Sequence, residues 1–136
     1  MNLLYAHLNR LAAVDFAWGD ADCMTAVCEW LVLCGWPDPM VDVRGLYHDP
    51  LSCERATGFI RNPVGVTDRR FAAIGVVRGN QMHAGDVAVV QLPGHPRPIG
   101  AIWTGVSWAA KGERGTVTVH PQFVQVVAFW SVGYRP

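Results

Sequence analysis

The stretch Gly19-Asp-Ala-Asp-Cys-Met-Thr-Ala-Val-Cys-Glu-Trp-Leu-Val-Leu-Cys-Gly35 has the helical pattern around which the rest of this chain can be arranged. Apolar residues recur along it at helical spacing, namely Cys23, Ala26, Val27, Trp30, Leu31 and Cys34. Asp22 is a favoured N-cap residue, and Gly35 is typical of the position just after a helix. The pattern therefore predicts a helix from about residue 21 to residue 34 that packs its Trp30 face on a strand containing Val87 and Val89.

Three further helices are predicted on either side of this one. Leucines and alanine at positions 4, 8, 11 and 12 indicate an amphipathic helix over residues 3–13. Asp49-Pro50 begins a short helix that ends near Gly58, because proline is favoured at the first helical position. A fourth short helix is predicted to begin at Thr67-Asp68-Arg69-Arg70.

After Gly79 the pattern changes from helical to extended. Short β-branched or aromatic runs alternate with Gly, Pro and Asn turns, and consecutive strands with short connections favour an antiparallel meander or a small barrel. The runs are Asp86–Leu92, Ile99–Thr104, Val106–Ala110, Thr116–His120 and Val124–Val132. The sequence thus predicts a single α+β domain over residues 1–136, in which a helical half (1–79) packs on one side of a five-stranded antiparallel half (80–136).

The composition excludes several classes of partner. The chain has 136 residues, 11 Lys+Arg against 11 Asp+Glu, 51% hydrophobic residues and 16% charged ones. Because phosphate binding needs a concentrated basic face, zero net charge argues against nucleic acid. No apolar run approaches membrane-spanning length, and Asn9 and Arg10 interrupt the opening Leu/Ala pattern, so we expect neither membrane insertion nor a signal peptide.

The cysteines do not indicate a metal or cofactor. Cys23, Cys28, Cys34 and Cys53 lack the close pairing of zinc ligands, and nothing points to an oxidising compartment. We therefore expect reduced thiols, no metal and no cofactor.

The segment Gly19–Cys23, followed by Trp30, resembles the nucleophile segment of NlpC-type cell-wall cysteine peptidases, which have a papain-type fold. The resemblance implies that Cys23 is the nucleophile in the first turn of its helix, where free N–H groups and a partial positive charge favour a thiolate. It also implies that residues 85–90 and 99–103 are the first two strands of that fold.

Three short motifs resemble more closely a small offshoot of that superfamily found in tail-gene clusters of phages and gene transfer agents. They are Trp18-Gly-Asp-Ala-Asp-Cys23, Gly35-Trp-Pro-Asp-Pro39 and Arg44-Gly-Leu-Tyr47. This resemblance implies a virion protein of the tail tip that is assembled in the host cytoplasm. Its implied partners are tail hub or tail tip proteins, with host peptidoglycan as a further one.

The general base of the peptidases is missing from its expected position. The peptidases have histidine at the start of the second strand, where this chain has Pro98, and a proline cannot accept a proton. The position that orients the base falls near Trp108 or Ala109, and neither is suitable. His95 lies three residues before Pro98 and is the candidate base. His120 is expected at the opposite end of the sheet.

Two readings of Cys23 therefore stay open, a reactive thiol or a core thiol. We favour a structural or assembly component of a phage-type tail tip or baseplate hub, with a degenerate NlpC-like domain that is not an enzyme. The alternative is an active cysteine peptidase or amidase that cleaves peptidoglycan stem peptides during genome delivery, with Cys23 as nucleophile and His95 as base. A third reading is a cell-wall-binding module without chemistry. Trp103, Trp108, Phe129 and Trp130 are the candidate docking residues of the first reading.

Overall fold

The computed structural model describes residues 2–113 and 115–136, and within them four helices precede five strands. The helices are α1 (Leu3–Ala12), α2 (Cys23–Leu33), α3 (Pro50–Thr57) and α4 (Pro63–Ile74). The strands are β1 (Val87–Gln91), β2 (Ile99–Trp103), β3 (Trp108–Gly112), β4 (Gly115–Val119) and β5 (Gln125–Trp130), with a short 3-10 turn at Pro121–Phe123 before β5. The prediction of an α+β fold with N-terminal helices and a C-terminal five-stranded antiparallel sheet is confirmed.

Helix α2 begins where its sequence predicts. The Asp22 carboxylate accepts hydrogen bonds from the backbone N–H groups of Met24 (3.0 Å) and Thr25 (2.9 Å). The Thr25 hydroxyl in turn accepts from the Asp22 N–H at 2.8 Å, which completes a capping box.

Helix α4 begins four residues earlier than the sequence pattern predicted. The Asn62 side chain accepts a hydrogen bond from the Gly65 N–H at 3.1 Å, and Pro63 occupies the first helical turn. An N-cap residue followed by proline is a standard helix start, so Asn62-Pro63 was the indication in the sequence that α4 begins at this point.

The sheet order is β4-β3-β2-β1-β5, with every neighbouring pair antiparallel. Strands β1 to β4 form a meander, but β5 returns to pair with β1, so of the two predicted arrangements, a meander or a small barrel, the simple meander does not extend to the last strand. Strand β1 is buried on both faces and pairs with β2 at one edge and with β5 at the other. Val119 of β4 and Phe129 of β5 pack against the same apolar cluster.

The two faces of β1 belong to different cores. Val87 and Val89 lie with Val27, Trp30 and Leu31 of α2 in the main core between helices and sheet. Trp30 is completely buried in this core, as predicted, but the strands that approach α2 most closely are β2 and β3 rather than β1. Alternate residues of β1 face the other side, where they form a smaller cluster with Trp108.

Two of the predicted docking residues are part of these cores. Trp108 is 3% exposed and Trp130 is 1% exposed, so their assignment to a docking surface was wrong. The Trp130 Nε1–H donates to Asp68 Oδ1 at 2.9 Å, and the Arg78 guanidinium lies 5.2 Å from the ring centroid. Trp103 and Phe129 are half-buried. The sheet thus has buried aromatic residues in both cores, Trp130 in the main core and Trp108 in the smaller cluster.

No helix among the described residues is long and apolar enough to cross a membrane.

Candidate functional site

Cys23 is the first residue of α2 and lies on the wall of a cavity of about 460 Å³. The residue is partly accessible. The neighbouring strand β2 approaches this end of the helix closely at Gly100, where an added Cβ would collide with the Met24 side chain. A glycine at this point of β2 therefore lets the strand contact the helix terminus that presents Cys23.

The Asp22 carboxylate organises the loop in front of Cys23. It is 2% exposed, and besides its two bonds to α2 it accepts hydrogen bonds from the Gly19 N–H and the Tyr47 hydroxyl, both at 2.8 Å. Four donors thus satisfy a carboxylate that would be costly to bury without partners. Its position is fixed by structure, so it cannot also serve as a mobile acid or base.

Two of the sequence motifs meet at this carboxylate. The Gly45 N–H donates to the Gly19 carbonyl at 3.0 Å, and a side chain at Gly19 would collide with the backbone carbonyl of Tyr47. Gly19 also has a φ of +82°, which favours glycine. Burial and the adjacent Asp22 raise the pKa of Tyr47 well above its usual range, so Tyr47 is a neutral donor.

The thiol of Cys23 is strongly held in its neutral form. Burial raises its pKa to about 12, and the neighbouring Asp22 carboxylate acts in the same direction. The backbone N–H of Gly100 and the positive charge of Arg97 act in the opposite direction but have smaller effects. The start of a helix favours a thiolate, but here burial outweighs that contribution.

His95 lies in the exposed loop between β1 and β2 and lines the same cavity as Cys23. Its backbone carbonyl accepts a hydrogen bond from Gln91 Nε2 at 2.9 Å. Across residues 2–113 and 115–136, no hydrogen bond links its ring to the Cys23 thiol. Pro98 lines the cavity just before β2, and the buried Trp108 and Ala109 supply no polar group at the third position.

The remaining histidines are held in other parts of the fold. His7 is buried behind α2, where it stacks on Trp30 with ring centroids 5.8 Å apart. Its Nε2 lies 3.0 Å from the Ala26 carbonyl and its Nδ1 lies 3.1 Å from Arg10 Nη2, an arrangement that fits a neutral ring with the proton on Nε2. Burial is the main cause of its lowered pKa. His83 contacts Asp86 at the start of the sheet, since its backbone N–H donates to Asp86 Oδ2 at 2.8 Å.

Sequence reasoning missed Lys111, which is buried and lines the cavity. Its Nζ donates to the backbone carbonyls of Leu11, at 2.7 Å, and Val14. These carbonyls follow the C-terminal end of α1, where a cation is favoured. A single lysine in an alanine-rich strand gave no indication of this contact.

Arg97 is the second residue that sequence reasoning missed. Its guanidinium lies 5.7 Å from the ring centroid of Trp18, and both residues line the cavity. The only indication in the sequence was its position between Pro96 and Pro98.

The described residues contain no cluster of His, Cys, Asp or Glu able to hold a metal ion, and all four cysteines are free. The arrangement therefore offers an accessible but neutral thiol, a cation beside an aromatic ring and a mostly apolar cavity.

Comparison with known proteins gives a family but no activity. The model of one family, described as a domain of unknown function (DUF6950), matches residues 2–132. No curated protein and no solved structure matches the chain. Because the family match includes the Cys23 helix, the cavity and all five strands, the chain belongs to the DUF6950 family.

Proposed function

We propose that this chain is a non-catalytic, NlpC-like component of a phage-type tail tip or baseplate hub. The tail context comes from the resemblance of the three motifs around Gly19, Asp38 and Tyr47. Its expected location is the virion tail, and its expected partners are tail hub or tail tip proteins. The proposal that the chain is non-catalytic rests on the surroundings of Cys23.

The observation that supports a non-catalytic role is the state of the Cys23 thiol. A cysteine peptidase needs a thiolate, which an adjacent imidazole normally generates. Here burial and Asp22 raise the thiol pKa to about 12, and Pro98 occupies the position of the base. Instead, the four hydrogen bonds that Asp22 accepts hold the Gly19 loop, the Tyr47 loop and the start of α2 together.

A surface suitable for docking lies at the start of β5. Phe123 is 58% exposed, and Val126 and Val127 are also exposed. Contiguous exposed apolar surface is typical of a partner site, and these three residues lie within five positions of the chain. We call Phe123, Val126 and Val127 the β5 patch and propose it in place of the buried Trp108 and Trp130.

Complementation of a deletion tests this proposal in the phage or particle that encodes the chain. Deleting the gene should remove assembled tail tips, and the Cys23→Ala variant should restore both assembly and genome delivery to wild-type levels. Cys34→Ala is the matched control, because Cys34 is half-buried at the other end of α2. Normal tails in the deletion strain would contradict a structural role.

A peptidase activity is the second candidate, and one observation favours it. Cys23 and His95 line the same cavity, so movement of the exposed β1–β2 loop could bring the imidazole to the thiol. In that case purified protein should release stem-peptide fragments from peptidoglycan sacculi, and both Cys23→Ala and His95→Ala should abolish the release. We expect no release above the Cys23→Ala background, because a missing general base costs about 10²–10⁴ in rate.

A further inference from the structure

The wall of the cavity beside Cys23 has an exposed part and a buried, largely apolar part. The exposed part consists of residues of the β1–β2 loop and of the turn after β3, including His95 and Glu113. The buried part comes from the helical half and includes Met40, Val66 and Phe71. A volume of about 460 Å³ falls within the range of small-molecule sites.

Arg97 is an unpaired cation on the wall of this cavity. Arg44, Arg70 and Arg78 each form an ion pair with an aspartate. By contrast, Arg97 is half-buried, contacts the Trp18 ring and has no carboxylate partner among the described residues. A guanidinium that is partly removed from water is stabilised by a carboxylate that accepts two parallel hydrogen bonds from it.

The two prolines of the loop restrict the backbone at Arg97. Pro96 has a fixed φ, and the residue before a proline is restricted to extended conformations, so Pro98 restricts Arg97 itself. The Trp18 ring supports the guanidinium from one side. Lys111, Asp22 and Arg70 also line the cavity but are engaged elsewhere, with the end of α1, with four donors and with Asp42, respectively. Glu113 is the remaining charged residue of the lining and lies in its exposed part.

We propose that this cavity binds a small amphipathic carboxylate of the fatty-acid type. The alkyl chain lies along the apolar wall toward Phe71, and the carboxylate pairs with Arg97. The chemistry follows from the two parts of the wall, a mostly apolar buried part that includes the unpaired Thr67 hydroxyl, and one unpaired cation, Arg97, in the loop. This binding goes beyond the proposed function, because it requires neither a tail nor a reactive Cys23.

Calorimetric titration of the purified chain with dodecanoate, below its micelle concentration, tests the proposal. We expect saturable binding of one ligand per chain. The Arg97→Gln variant should bind dodecanoate at least about tenfold more weakly, because a charged hydrogen-bonded pair is lost. Binding of dodecanol, which has the same chain without the charge, should be equal in both proteins. Arg135→Gln, an exposed arginine outside the cavity, is the matched control and should bind like the wild type.

The location of the ligand is tested with the cysteines. Dodecanoate should slow the reaction of Cys23 with methyl methanethiosulfonate at pH 9 and leave Cys34 unaffected, because Cys23 lines the cavity and Cys34 does not. If Arg97→Gln does not fold, Arg97→Lys keeps the charge and should retain part of the affinity. Absence of binding to the wild type, equal dodecanoate affinity in the wild type and Arg97→Gln, or unprotected Cys23 would each overturn the proposal. Tighter binding of an apolar tetrapeptide with a free C-terminus than of dodecanoate would overturn the choice of an alkyl chain.

Discussion

At the scale of single residues, the buried carboxylate of Asp22 is more important for the structure than the neighbouring Cys23. It caps α2, receives the Tyr47 hydroxyl and fixes the Gly19 turn, all through one buried carboxylate. Removing one partner from such a network leaves buried donors without acceptors, which costs more than the bonds themselves contributed. The same carboxylate disfavours a thiolate at Cys23, so structural support and catalysis conflict at this position.

The Asp22→Ala variant should lower the free energy of unfolding by about 2–4 kcal/mol, from the lost N-cap and an unpaired tyrosine hydroxyl. Urea denaturation followed by circular dichroism measures the change. Tyr47→Phe is the matched control and should cost only about 1 kcal/mol, since it removes one donor and leaves the cap intact. An Asp22→Ala loss below about 0.5 kcal/mol would show that the network does not support α2.

Alkylation of Cys23 by iodoacetamide should be slow at neutral pH and accelerate about tenfold per pH unit from pH 7 to pH 10. Burial favours the protonated thiol, so with a pKa of about 12 only about one thiol in 10⁵ is ionised at pH 7. Quantitative mass spectrometry of the Cys23 peptide measures the rate. A plateau reached below pH 8 would indicate a thiolate of the peptidase type and favour the second candidate function.

At the scale of elements, the contact between α1 and α2 depends on a buried histidine. His7 extends from α1 to the Ala26 carbonyl of α2 and stacks on Trp30, while Arg10 joins it to Glu29 at 3.0 Å. Such a ring must be neutral to keep these contacts. The packing of these two helices is therefore the part of the fold most sensitive to mild acid.

Stability should fall as the pH decreases below about 6.5, the usual histidine pKa. Burial lowers the pKa of His7 in the folded chain, so the unfolded chain takes up a proton first and is favoured as the pH falls toward the folded value. Urea denaturation of the wild type at pH 7.5 and pH 5.5 measures the loss, and His7→Gln should remove most of the difference between the two pH values. An identical pH dependence in both proteins would mean that another group is responsible.

Elements whose ends are determined by neighbouring residues in the chain were predictable from the sequence. Elements that depend on contacts between distant residues were not. Asp22 and Gly35 bounded α2 because capping is decided within a few residues. The partner of β5 was not predictable, because its pairing with β1 joins residues that are far apart in the chain, which no local pattern encodes. For the same reason the sequence could place Cys23 on a helix but not beside Arg97.

At the scale of the whole molecule, Trp108 and Trp130 are buried, so the proposed interface must lie on another surface. The β5 patch leaves Phe123, Val126 and Val127 accessible at the start of the last strand. Substitutions there change a surface without disturbing either core. The patch can therefore be tested separately from the stability of the fold.

The free energy of unfolding of the Val127→Lys variant should lie within about 0.5 kcal/mol of the wild-type value, but the variant should fail to enter tail particles. A lysine desolvated in an apolar interface disrupts docking, whereas in the free chain it remains in water. The measurement is the copy number of the variant in purified particles by quantitative mass spectrometry. Val106→Lys, at the exposed β2–β3 turn, is the matched control and should be incorporated normally. Normal incorporation of Val127→Lys would exclude the β5 patch as the docking surface.

The pairing of β5 with β1 has a consequence for the growing chain at the ribosome. Val87 pairs with Trp130, so one edge of β1 stays open while some forty further residues are synthesised. During that interval the main core lacks Trp130 and Val132, and an exposed strand edge can pair with another nascent chain. Translation at high density, as on a polysome, should therefore favour aggregation, and chaperones that shield open strands should raise the yield of soluble protein.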